Sequence, residues 1–317
     1  MMEASLDRNR MISRQRLAEL SRPDTARVLR AVAFDYAVIV AAVVISERFW
    51  SPPLYLAAVI TIAARQVGMF SVALHDGAHG LLTRDRARND RLARRLLVPS
   101  IVFDLFEYRP MHFDHHRHVN APADPDLDEF LSWYAVPPWR RALQLASALV
   151  GLRLLVPLCR LVIRGNWRQR VLAIAIPGAL VAGVVLPVWP LRIVALYWMV
   201  PLATWGMFIN LLRAVAEHYP PGTANRPSDT PLVLLTRDVV PSLFDSAFVV
   251  TRNAGYHLSH HLFPSVPFFR LPELHRELAR SEPFQRHAHV TRGYHRALLE
   301  VVFDRAPAAV FQRGAAP

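Results

Sequence analysis

The chain has 317 residues, 53 % of them hydrophobic, yet it carries a formal charge of +12. That combination excludes a disordered tail, which would lack the apolar residues, and an ordinary soluble domain, which would scatter its charges. Apolar and basic residues must be segregated along the chain, and a membrane imposes that segregation.

Residues 1–30 are polar, read as a cytoplasmic helical segment, and hold seven of the 37 basic residues, all of which are arginine. They lack the charged, apolar and small-residue order of a cleaved signal, so the first span is expected to be retained. Two apolar runs follow, about 31–46 and 53–74, on either side of the turn "ERFWSPP". Each carries one charge, Asp35 and Arg65, fifteen residues from the turn on opposite sides. An antiparallel hairpin brings them to one depth, where each offsets an insertion cost of about 2.5–3.5 kcal/mol for a lone charge.

The stretches 94–106 and 142–163 are apolar but broken by Arg or Pro, and are expected to lie in the interface as amphipathic helices. Residues 171–189 and 193–212 hold no charged side chain except the flanking ones, and each approaches the roughly 20 residues that a spanning helix needs. The tail from about 305 is expected to be disordered. The fold class expected is therefore all-α: an integral membrane protein with four transmembrane helices, a cytoplasmic helical cap, and one domain over residues 1–317.

Arginines set the orientation. Fifteen lie in 75–170 and twelve in 213–317, leaving only Arg48, Arg65 and Arg192 in or between the spans. By the positive-inside rule both termini and the long middle segment are cytoplasmic, and the expected location is a multi-pass site in a bacterial inner membrane. The charge is thus topological, and no separable basic domain supports nucleic-acid binding. A single cysteine, Cys159, rules out an intrachain disulfide and a cysteine-ligated cluster.

Histidine is distributed more informatively. None of the fourteen falls inside a span. "HDGAH" brings His75 and His79 just as the second span ends; "HFDHHRH" brings His112, His115, His116 and His118; "RAVAEH" ends on His218; and "GYHLSHHLFP" brings His257, His260 and His261. On a helix, His-x-x-x-His offers two imidazoles to one point, and His-x-x-His-His adds a neighbour aimed aside, toward a second ion. An even number of crossings separates the groups, so they share one face. Nine histidines (75, 79, 112, 115, 116, 218, 257, 260 and 261) suffice for two ions, and imidazole alone does not choose among Fe, Zn, Cu and Ni. His118 reads as a surface or supporting residue, and His275, His287, His289 and His295 as ordinary polar residues.

Carboxylates beside such ligands orient imidazoles through the second ring nitrogen. The candidates are Asp76, Asp114, Asp126 and Glu217. After the last histidines, Leu262, Phe263, Val266, Phe268 and Phe269 of "LFPSVPFF" are expected at the membrane interface. A metal transporter would need ligands along a transmembrane path, and the four expected spans hold no histidine.

"HDGAH", "HFDHH" and "HLSHH", with the further histidine in "AEH", resemble the three histidine boxes and isolated ligand of the membrane fatty acid desaturase superfamily, which includes carotenoid ketolases and hydroxylases. The resemblance covers about 75–275, extends to "NAGYHLSHHLFPSVPFFRLPELH", and includes "DPD" at 124–126. It implies a non-haem di-iron centre on the cytoplasmic membrane face, held by the nine histidines, that uses O₂ and two electrons to remove hydrogen from an unactivated C–H bond. The outcome implied is a double bond in an acyl or other lipid-like chain, with hydroxylation, ketolation or desaturation of a small amino-acid-like metabolite as alternatives on the same scaffold. For that last substrate Arg65 becomes a possible anchor. Acyl-CoA members place an asparagine four residues before the isolated histidine, where this chain has Ala214. No cluster, dinucleotide fingerprint or haem domain is present in the sequence, so ferredoxin or another external electron carrier is expected as a partner, drawn by the cytoplasmic arginines.

Overall fold

The structure, a computed structural model, describes residues 10–97, 104–165, 167–186, 188–218 and 231–303. In chain order its principal helices are α1 (Arg14–Leu20), α2 (Thr25–Arg48), α3 (Pro52–His79), α4 (Arg86–Leu97), α5 (Leu105–His118) and α6 (Trp167–Val185). They are followed by α7 (Trp189–His218), α8 (Leu243–Phe248), α9 (His257–Leu262), α10 (Leu271–Leu278) and α11 (Tyr294–Phe303). Two short strands, β1 (Arg237–Val240) and β2 (His289–Arg292), pair in parallel with Arg237 opposite His289 and Val240 opposite Arg292.

Among the described residues three helices, α2, α3 and α7, are long and apolar enough to cross a membrane. They contain the expected runs 31–46, 53–74 and 193–212. The run expected at 171–189 falls mainly in α6, whose described apolar portion, Arg170–Ala179, is shorter than a crossing. The stretch 142–163 is divided between helices Pro138–Leu149 and Leu155–Arg164, with Gly151 between them at φ 75°, so it is not one continuous helix. Part of the 94–106 stretch, the first nine residues and the tail from 304 lie outside the described residues.

Contacts gather the chain into two units. One comprises Val32–Val67 and Ala142–Leu212. Within it Asp35 is fully buried, and Arg65 Nη1 lies 3.6 Å from Asp35 Oδ1, which is the pairing anticipated from their distance to the turn. Arg65 is therefore engaged by a carboxylate, which does not favour its role as a substrate anchor. Tyr197 Oη donates to Glu47 Oε1 at 2.7 Å, Tyr55 Oη donates to Leu196 O at 3.0 Å, and Gln66 Nε2 donates to Trp198 O at 2.9 Å. These bonds satisfy polar groups on apolar helices, where an unpaired one costs several kcal/mol or so. α2 leaves Phe34, Val40 and Val44 exposed, as hydrocarbon-facing side chains should be. Neutralising Asp35 or Arg65 alone leaves the other charge buried, so each single variant is expected to lower membrane yield and the charge-swapped double variant to recover it. Harmless singles, measured by immunoblot of membrane fractions, would contradict the pairing.

The other unit comprises Met1–Ala31, Gly68–Arg141 and Arg213–Pro317. Its core joins Leu20 of α1, Leu258 and Leu262 of α9, Phe263, Val266, and Leu271, Leu274 and Leu278 of α10. Leu262, Phe263, Val266 and Phe268 are thus buried side chains rather than interfacial ones. The "LFPSVPFF" segment packs back on α9 and α10, and burying each such side chain contributes about 1.5–3 kcal/mol. A shared apolar composition made the two placements indistinguishable from sequence. The same core fixes α9, the carrier of three histidines.

Candidate metal centre

The first pair of histidines sits where α3 changes its winding. Residues Ser71–Asp76 form a π-helical turn, a geometry often found at functional sites, and His79 ends the helix one α-turn later. Gly80 closes it at φ 81°, a conformation that only glycine adopts without cost. The last carbonyls of the helix find partners outside it: Gly77 O accepts from Asn89 Nδ2 at 2.8 Å and Arg109 Nη2 at 3.1 Å, while Ala78 O accepts from Arg109 Nε at 3.1 Å. Arg109 is itself paired with Asp90 and lies on α5, one turn before His112, so it ties the first box to the second.

α5 begins at Asp104, whose side chain accepts from the backbone of Phe106 and Glu107 at 2.7 and 3.1 Å. It presents His112 and His116, four residues apart, on one face, with His115 on the next. His218 is the last residue of α7. α9 starts at His257 after Gly255, where a Cβ would lie 2.5 Å from Val239 O, so the close approach of this turn to β1 requires glycine.

The nine histidines converge in two groups. His75, His79, His112, His116 and His260 form one, and His115, His218, His257 and His261 the other, with one potential ligand atom from each residue lying within 4.8 Å of all the others in its group. The groups abut: the rings of His116 and His261 stack with centroids 4.2 Å apart. His118 belongs to neither group.

Second ring nitrogens are held by acceptors. His115 Nδ1 donates to Asp124 Oδ1 at 2.9 Å and His218 Nδ1 donates to Ala214 O at 3.1 Å, while His257 Nδ1 lies 3.3 Å from Glu217 Oε2. The position of the family's asparagine thus contributes a backbone carbonyl to the ligand's far side. In the first group His75 Nδ1 lies 3.2 Å from Asp76 Oδ1, and His112 Nδ1 lies 3.1 Å from Tyr108 Oη. Asp76 Oδ2 also accepts the Phe268 amide at 3.0 Å.

These bonds fix the tautomers and reveal the chemistry of the inner face. With protons on Nδ1, the Nε2 atoms of His115 and His218 carry lone pairs, yet they meet at 3.0 Å, and His257 Nε2 lies 2.7 Å from that of His218. Lone pairs facing one another at such distances repel, and a shared cation is what reconciles them. Similar Nε2 contacts join His79 to His112 at 2.9 Å, His116 to His112 at 3.1 Å and His260 to His116 at 3.1 Å. Burial, then the charge of neighbouring rings, pushes His116 down to about 2 and holds His112, His257, His260 and His261 well below the ordinary histidine value. They are neutral at physiological pH, the form a metal requires.

Of the sequence candidates, Asp76 and Glu217 touch histidines, whereas Asp114 is exposed and pairs with Arg117 at 3.1 Å. Neighbours on a helix point apart, so adjacency to His115 does not bring Asp114 to that ring. Asp126, 58 % exposed, lies 3.4 Å from His115 Nδ1, and the buried Asp124 of the same "DPD" lies nearer. The His115 bond, opposed by burial, holds the Asp124 carboxyl below its ordinary range. Asp124 also accepts the Asn120 and Asp126 amides at 2.7 and 2.9 Å, so Asp124→Ala is expected to lower metal content and activity more than Asp126→Ala. Metal analysis of both purified variants checks this; an equal or reversed order contradicts it.

Sequence reasoning also missed the surroundings of Glu217. Oε1 accepts from Arg213 Nε at 2.8 Å and from Tyr294 Oη at 2.5 Å, and Oε2 accepts from Arg213 Nη2 at 3.1 Å. The four-residue spacing of Arg213 and Glu217 was a usable signal; Tyr294 had none.

Apolar helices that end in two facing groups of carboxylate-oriented imidazoles define a helical membrane protein with a histidine-rich metal-type centre. The fatty acid desaturase family model matches residues 50–293. The chain therefore belongs to that family, and it is an oxidoreductase of the desaturase class. It is 30 % identical over 286 residues to dihydrorhizobitoxine desaturase of Bradyrhizobium elkanii, covering 83 % of this chain and 78 % of the relative. It is 28 % identical over 232 residues to a β-carotene ketolase of a Paracoccus species, covering 70 % and 79 %. Human sphingolipid delta(4)-desaturase/C4-monooxygenase is 28 % identical over 213 residues, covering 64 % of this chain and 59 % of the relative.

Proposed function

We propose that the nine histidines hold two iron ions, and that the protein uses O₂ and two external electrons to place a double bond in an apolar, acyl-like chain. The overall reaction balances as R–CH₂–CH₂–R′ + O₂ + 2e⁻ + 2H⁺ → R–CH=CH–R′ + 2H₂O. Convergence of imidazole lone pairs into groups of five and four is the observation that carries this reading. Once bound, the ions supply O₂ activation and C–H oxidation. The chain's own part is to keep the imidazoles neutral by burial, to bond the Nδ1 atoms of His115 and His218 to Asp124 and Ala214 O so that Nε2 faces inward, and to place the Glu217 carboxylate beside His257 Nδ1. An all-imidazole shell adds no negative charge, which leaves the ions their full attraction for oxygen-derived anions.

In this proposal α2, α3, α6 and α7 make four spans, with the histidine groups at the cytoplasmic face, and an iron–sulfur carrier such as ferredoxin is the electron donor. The absence of histidine from the apolar runs and the arginine distribution support that topology.

A second reading, desaturation of a small amino-acid-like metabolite, is favoured by the similarity to dihydrorhizobitoxine desaturase. The ketolase and monooxygenase relatives keep oxygen insertion on the same scaffold, because a small change in substrate position decides between losing a second hydrogen and gaining oxygen. Lipid and metabolite profiling of cells with and without the gene tests the proposal. Loss of an unsaturated lipid species is the expected result; loss of an unsaturated polar metabolite, or of a hydroxylated or keto product, selects the other readings, and unchanged profiles count against all three.

A further inference from the structure

We propose that a recess at the β1–β2 pair is the docking surface for an acidic protein that delivers electrons singly. The inference rests on the externally reduced oxidoreductase reading above. The recess measures about 540 Å³, and its lining includes Val240, Pro241, His275, Arg292, His295 and Arg296. Arg292, His295 and Arg296 are exposed, and neither arginine has a carboxylate in ion-pair reach among the described residues. The acids beside them are already engaged. Asp245 is buried, caps Ser242 and accepts the Tyr294 amide at 3.2 Å, while Glu300 takes Arg237 and His289. Unneutralised arginines of this kind steer an acidic partner and set its orientation.

Apolar surface adjoins the charge. Leu243 is 92 % exposed and Phe244 62 % exposed, directly after the Pro241–Ser242 rim, and Val290 is 41 % exposed within the lining. Exposed apolar residues beside unpaired basic ones have the composition of a protein interface, with an apolar centre and a polar rim.

What distinguishes this surface from a lipid-binding patch is its connection to the histidines. From the recess, His275 Nδ1 donates to Asp238 Oδ2 at 2.6 Å, and Asp238, fully buried, accepts from Ser259 Oγ at 2.5 Å and Ser259 N at 2.9 Å. Ser259 lies between His257 and His260. Asp238 also completes α9, whose first turn has no side-chain cap of its own, by accepting one of its free amides. A second route starts at Tyr294, between Gly293 and His295, and passes through Glu217 to His257 Nδ1. The first route is covalent or hydrogen-bonded throughout, the second closes on a charge-pair contact of 3.3 Å, and both end on the third box. A headgroup site has no need of either.

The test uses the full chain in nanodiscs of zwitterionic lipid with a plant-type [2Fe–2S] ferredoxin as the probe. Affinity measured at low ionic strength is expected to fall by about tenfold in R292E/R296E and by less in R292Q/R296Q, with R88E/R91E, an exposed pair on α4, near wild type. Ferredoxin is also expected to slow hydrogen exchange over residues 288–297. Unchanged affinity in both Arg292/Arg296 pairs, or an equal loss in the α4 pair, overturns the proposal. So does slowed exchange at 288–297 caused by anionic lipid without ferredoxin, which would assign the surface to the membrane. Turnover with dithionite separates the two levels of inference. Product formation with dithionite, but ferredoxin binding indifferent to the reversal, removes the docking surface and leaves the function. Reversal-sensitive binding without oxidised product under any reductant keeps the surface and removes the function.

Discussion

Replacing His112 or His257 with alanine is expected to abolish activity, at least about 100-fold, and to lower metal content, whereas His118→Ala leaves both near wild type. His112 is the hub of its group, with Nε2 at 2.9 Å from that of His79 and 3.1 Å from that of His116. His257 holds the same place in the other group, 2.7 Å from His218 and 2.9 Å from His261. Losing such a side chain removes a ligand, while the loss of a residue that only supports a ligand already costs about 10–100-fold in metal affinity or activity. His118 sits on the same helix as His112 but in neither group, so it controls for general effects of removing a histidine from α5. Metal content per chain, measured on each purified variant, decides the matter; equal losses in all three would show that membership in a group means nothing.

The second large effect is expected at Glu217. Glu217→Gln keeps the shape of the side chain but removes the charge that Arg213 Nε and Nη2 approach at 2.8 and 3.1 Å. Breaking one partner of a buried pair costs about 3–5 kcal/mol, because the remaining charge stays buried without compensation. The same change removes the negative charge that lies 3.3 Å from His257 Nδ1. Glu217→Gln is therefore expected to lower both thermal stability and metal occupancy, and Tyr294→Phe, which removes only the Oη–H donor, to do less of each. A variant with wild-type melting temperature and metal content would show that this network supports neither.

Much of this was legible in the sequence because two periodicities carry it. The three-and-four spacing of histidines at 112–116 and 257–261 predicts which rings share a face, and apolar runs near twenty residues, charge-free in α7 and with one charge each in α2 and α3, predict those three helices. The Asp35–Arg65 pair followed from counting residues along a hairpin. What was not legible depends on tertiary packing. Asp124 and Asp126 are equivalent as letters, and only the left-handed turn at Asn120, with φ 57°, brings Asp124 inward while Asp126 stays exposed. Tyr294, 77 positions from Glu217, reaches it because α11 follows the strand that pairs with β1. "LFPSVPFF" is apolar whether it meets lipid or core, and α10 supplies the core.

The two histidine groups stand or fall together on metal stoichiometry. Mössbauer spectroscopy combined with elemental analysis of the full-length protein, purified from cells grown on ⁵⁷Fe, measures it directly. Two high-spin irons per chain in a nitrogen-rich environment is the predicted result. A single zinc per chain, or protein that is folded and metal-free after expression in iron-replete cells, would contradict it.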